Sequence, residues 1–83
     1  MTAMEKIQQE LIEKISGILS EEPSAVDIEA PLHTLGLDSM RMVEIIVFIE
    51  TQYGVDLMGS GLKREEVASV AALARTVEKK ITP

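Results

Sequence analysis

Few side chains in this chain could do chemistry, and Ser39 is the one whose setting is informative. It follows Asp38 at the point where a strongly periodic segment begins. If that segment is a helix, its unpaired amides and dipole would favour a phosphate group on this serine. A plain N-cap is the simpler reading, with Asp38 or Ser39 accepting from the first-turn N–H groups. Nucleophilic catalysis would need a base, and the one histidine, His33, lies six residues upstream. So short a chain has little room to enclose such a pair in a pocket, so hydrolase chemistry is not expected. There is no cysteine, hence no thiol, disulfide or Cys-based metal site, and the carboxylates fall at no ligand spacing. The reading is of a non-enzyme without a metal.

The elements that must position Ser39 follow from apolar spacing. Ile7, Leu11, Ile15, Ile18 and Leu19 recur every three or four residues, which predicts an amphipathic helix from Ala3 to Leu19. Pro23 closes that run. From Ser20 to Asp38 no long period survives, although Ser24 to Asp27 has the residues to cap a short turn. Five apolar anchors (Val26, Ile28, Leu32, Leu35 and Leu37) predict a long ordered loop pinned to the core rather than a disordered one. A second helix is expected from Asp38-Ser39 to Tyr53, with Gly54 as its C-cap. Lys63 to Val67 suggests short helical turns. A last helix should begin at Ser69, with Val70, Leu73, Ala74, Val77 and Ile81 as its core stripe. Strand-like alternation is nowhere sustained. The fold expected is all-α: a small four-helix bundle, three main helices plus one short helix, as a single domain over residues 1–83.

The second helix carries more apolar surface than a core needs. With Arg41 at zero on a helical wheel, Met42, Ile45, Ile46, Ile49 and Tyr53 fall between about 40° and 140°. Met40, Val43 and Val47 form a separate strip between about 200° and 260°, flanked by Glu44 and Glu50. Either the long loop buries this strip, or the strip is a docking surface whose acids select a basic partner.

Charge points the same way. The net charge is −6, and residues 1–56 hold eleven acids against three bases while residues 57–83 hold five bases against three acids. So negative a surface repels nucleic acid and anionic membranes. No apolar run is long enough to span a bilayer, and the first twenty residues have no signal-peptide layout. A cytoplasmic monomer is expected.

Leu35-Gly36-Leu37-Asp38-Ser39-Met40, then Val43-Glu44-Ile45-Ile46, closed by Tyr53-Gly54-Val55, resembles the acyl carrier proteins. The resemblance covers essentially the whole chain and is best from Pro31 to Leu57. It implies that a phosphopantetheinyl transferase esterifies Ser39 to 4′-phosphopantetheine, using coenzyme A and Mg²⁺, and that the arm carries acyl groups as thioesters. It also implies acyl-loading and acyl-processing partners with basic docking patches. Arg41 stands where fatty-acid carriers usually have an acid, Thr51 and Gln52 replace further acids, and Phe48 replaces a small residue. Polyketide, nonribosomal-peptide or unusual lipid synthesis is therefore as much implied as fatty-acid synthesis. An aminoacyl or peptidyl carrier, or an unmodified helical interaction domain, are the alternatives.

Overall fold

A computed structural model describes residues 2–61 and 63–81; Met1, Leu62, Thr82 and Pro83, including both ends of the expected 1–83 unit, lie outside the described residues. Three α-helices run in order: α1 (Ala3–Leu19), α2 (Ser39–Tyr53) and α3 (Val70–Ile81). Among the described residues the connections carry only short 3-10 turns and no strand. The all-α bundle read from periodicity is the one observed. Its short fourth helix is a 3-10 turn at Arg64–Val67, and the turn expected at Ser24–Asp27 sits at Pro23–Ala25.

The helix ends have local causes. At the start of α1, the Glu5 N–H donates to Thr2 Oγ1 at 3.1 Å, while the Thr2 N–H donates to the Glu5 carboxylate at 3.3 Å. This is a reciprocal capping box. α1 stops before Pro23 is reached, because Ser20 turns left-handed (φ 56°) and the Glu21 N–H closes back on Ser16 O at 2.9 Å. Gly54 ends α2 at φ 70°, a conformation that would strain a residue with a side chain. Ser69 Oγ caps α3 by accepting from the Ala72 N–H at 3.1 Å.

The core joins Ile7, Leu11 and Ile15 of α1, Ile45 and Ile49 of α2, and Val70, Leu73, Ala74 and Val77 of α3. Full burial of each large aliphatic side chain contributes about 1.5–3 kcal/mol against leaving it in water. In α3 burial extends beyond the expected stripe to Ala71, Ala72 and Thr76. Thr76 Oγ1 lies 2.8 Å from Ala72 O and 2.9 Å from Glu66 O, so its hydroxyl has an acceptor inside the core. Ile81, expected in the stripe, is instead 41% exposed. It is the last helical residue, beyond the reach of the elements that cover Val77.

The long first loop is ordered by the core it crosses. Val26, Leu32 and Leu37 are buried, and Ile28 and Leu35 pack against the core. Its backbone is tied to the start of α3: Leu32 N–H donates to Ala68 O, and Ala71 N–H to Ile28 O, each at 3.0 Å. The loop thus leans on α3, and this decides what becomes of the apolar strip on α2.

Candidate functional site

The junction of loop and α2 is built by three side chains with separate roles. Asp38 is the N-cap: its carboxylate accepts from the Arg41 N–H at 2.9 Å, and its carbonyl from the Met42 N–H at 2.9 Å. Arg41 reaches back five residues and donates from Nη1 to Gly36 O at 3.3 Å. Gly36 has φ 98°, so the carbonyl that receives the guanidinium belongs to a turn that glycine makes without strain. Ser39, the first helical residue, is exposed, and its Oγ has no hydrogen-bond partner among the described residues. Asp38 takes the capping role that the sequence leaves open between the two, and the serine hydroxyl is left available.

The N–H groups of Ser39 and Met40 have no carbonyl a turn earlier inside the helix. They and the helix dipole give this end a positive character suited to a phosphate oxygen. Beside it lies a hollow of about 320 Å³ lined by Leu37, Met42, Val67, His33 and Arg64 among others. His33 is exposed and faces this hollow without hydrogen bonding to Ser39. Sequence pattern does not point to Arg64 and Val67, since only the fold brings the Arg64–Val67 turn to a hollow shared with Leu37 and Met42.

The strip on α2 is open. Met40, Val43 and Val47 are 78%, 57% and 54% exposed, and Glu44 and Glu50 beside them are exposed as well. Burial beneath the first loop does not occur, because that loop is bonded to α3. The core arc does face inward, with Ile45 and Ile49 fully buried and Met42, Ile46 and Tyr53 partly so.

Phe48 belongs to neither arc of the helical wheel. It is half-buried at the seam of α1 and α2, edge-on to Tyr53 with ring centroids 6.1 Å apart. Lys14 Nζ of α1 stands 5.6 Å above its ring centroid. The Tyr53 hydroxyl donates to the Glu10 carboxylate at 2.8 Å. Burial, then the hydrogen bond to Glu10, then the Glu10 charge raise the tyrosine pKa well above its ordinary value of 10.0. No helix among the described residues is long and apolar enough to cross a membrane.

Residues 1–82 match the family model described as the C-terminal ACP domain of the highly reducing polyketide synthase sdgA. The chain is 30% identical over 76 residues to the acyl carrier protein TtuC of Teredinibacter turnerae, covering 92% of this chain and 85% of that one. It is 29% identical over 79 residues to aminoacyl carrier protein 1 of Bradyrhizobium diazoefficiens, covering 93% and 88%. With the highly reducing polyketide synthase 40 of Fusarium mangiferae it shares 32% identity over 66 residues, 75% of this chain but 3% of that protein. On the strength of the matched family model and the TtuC likeness, the chain belongs to the acyl carrier protein family.

Proposed function

We propose that the protein is a non-catalytic carrier that holds acyl groups as thioesters on a 4′-phosphopantetheine arm attached to Ser39. The observation that carries this reading is the division of labour at the start of α2. Asp38 caps the helix through its carboxylate, so the exposed Ser39 Oγ is committed to nothing else. A phosphopantetheinyl transferase would bring Ser39 Oγ onto the pantetheine-side phosphorus of coenzyme A, breaking the diphosphate bond, with adenosine 3′,5′-bisphosphate leaving and the serine proton passing to a base of the transferase. The new phosphodiester would lie against the N–H groups of the first turn. Once attached, the arm supplies the thiol that a chain without cysteine lacks.

The protein's own part is to present and to be recognised. Met40, Val43 and Val47 offer partner enzymes an apolar contact, while Glu44 and Glu50 favour those with a basic patch. The hollow between Leu37, Met42 and Val67 offers apolar walls beside the attachment point. The polyketide-synthase family model supports a place in specialised acyl synthesis. Aminoacyl cargo is the second reading, supported by the likeness to aminoacyl carrier protein 1.

Intact mass after incubation with coenzyme A, Mg²⁺ and a broad-specificity transferase tests the attachment. A gain of one phosphopantetheine is expected for the unaltered chain and none for Ser39→Ala, which should keep its helical circular dichroism because Asp38 holds the cap. An unmodified wild-type chain, or an adduct that persists in Ser39→Ala, would overturn the reading.

A further inference from the structure

The seam between α1 and α2 holds apolar surface that the core covers only in part: Phe48 packs against the core on one side and stays half open on the other. Val43, Val47, Phe48 and Thr51 of α2 face Lys14 of α1 across an open groove of about 440 Å³, with Glu44 at its edge. A second hollow of about 320 Å³ continues past Lys14 and Phe48, walled by Glu10, Glu13 and Gln52. Both hollows share Lys14 and Phe48. The lysine, held over the ring, is a wall of each.

The charge around the seam is uneven. Glu10, Glu13 and Glu44 surround it, with Lys14 as the one base on its walls among the described residues. Lys14 is exposed, and an exposed cation over an aromatic ring is held by only about 0.5–1 kcal/mol. A planar guanidinium stacks on an aromatic face better than a hydrated ammonium does. If an arginine took its place on Phe48, Lys14 would swing to solvent and the remaining walls would be acidic and apolar.

We propose that this seam receives a basic amphipathic helix of a partner enzyme. An aliphatic side chain would enter the Val43–Val47–Phe48 hollow, and an arginine would displace Lys14 from the Phe48 ring. The proposal rests on the reading of α2 as a docking helix and adds α1 to the contact. It also accounts for Phe48, whose ring anchors the partner and is covered by Lys14 in the free protein.

The test is an amide-shift titration of the ¹⁵N-labelled apo protein at physiological salt. The probe is a short helical peptide of leucine and arginine, compared with a scrambled peptide of the same composition. Shifts centred on Lys14, Val47, Phe48 and Thr51 are expected for the amphipathic peptide alone. Lys14→Gln should tighten binding by about two- to fivefold, since a competing cation is removed. Phe48→Ala should weaken it about tenfold. Should Phe48→Ala disturb the bundle, Phe48→Leu keeps most of the packing, removes the aromatic face, and should still weaken binding while abolishing the Lys14→Gln gain. Shifts confined to Met40, Glu44 and Glu50, or equal binding of the scrambled peptide, would overturn the proposal. So would seam shifts on simple dilution, which would make the occupant a second copy, or on acylation of Ser39, which would make it the cargo. Ser39 modification is scored separately by mass, so a peptide bound at the seam of a chain that is never modified would sink the carrier reading and leave the seam standing.

Discussion

α2 and α3 are similar in length and in apolar content, yet the fold treats them differently. α3 buries Val70 to Ala74 without interruption and then Thr76 and Val77, while α2 fully buries only Ile45 and Ile49. The difference lies in what surrounds each helix. α3 packs on α1, and the first loop and the Arg64–Val67 turn close over its first two turns. α2 is covered on one side and leaves Met40, Val43 and Val47 in water. A helix enclosed in this way spends its apolar residues on the core and leaves mainly charged ones, Arg75, Lys79 and Lys80, in water. One with a second apolar face has surface that folding does not use, and the proposed docking role falls on that surface.

The comparison breaks most visibly in α3. Leu73→Ala removes a fully buried side chain and should cost about 2–5 kcal/mol, seen as a lower denaturant midpoint at constant slope. A loss below about 1 kcal/mol would mean that α3 is less essential to the core than its burial implies.

On α2 the corresponding insult should leave the fold intact. Val47→Asp sits on the exposed strip, so stability should move by no more than about 0.5 kcal/mol. Transferase modification and acyl loading should slow about tenfold or more, because a charge now occupies an apolar contact. Unfolding by this substitution would place the strip in the core, and full tolerance by every enzyme would move recognition elsewhere.

The smallest effect concerns the polar link between α1 and α2. Tyr53→Phe removes the hydrogen bond to Glu10 and should cost about 0.5–1.5 kcal/mol at neutral pH. The folded state raises the tyrosine pKa, so it favours the protonated phenol. The contact's stabilisation is therefore whole below the ordinary value of 10.0 and declines as pH rises past it, where the unfolded chain ionises first. Denaturation curves of both proteins across that range should converge at the alkaline end. A constant gap would mean that the hydroxyl contributes through packing alone.

Much of this arrangement is legible in the sequence. Ile7, Leu11 and Ile15 mark α1, Asp38-Ser39 and Gly54 bound α2, and Ser69 starts α3, because apolar period and cap chemistry act within a few residues. The setting of Ser39 is local in the same sense, since the cap and the hydroxyl belong to neighbouring residues. Arg64 and Val67 at the hollow, and Phe48 at the seam, are not legible, because each acquires its neighbours from a segment far along the chain.

Which faces are apolar follows from residue order alone, since a helix of known period turns that order directly into angular position. Which of those faces is covered depends on long-range packing. The wheel gives α2 a five-residue core arc and a three-residue strip, and whether the strip is covered was settled by the route of the first loop. Its backbone groups from Ile28 to Leu32 pair with Ala68 and Ala71 at the start of α3, where otherwise unpaired donors and acceptors are waiting. That pairing draws the loop toward α3 and leaves the Met40–Val43–Val47 strip open beside Ser39.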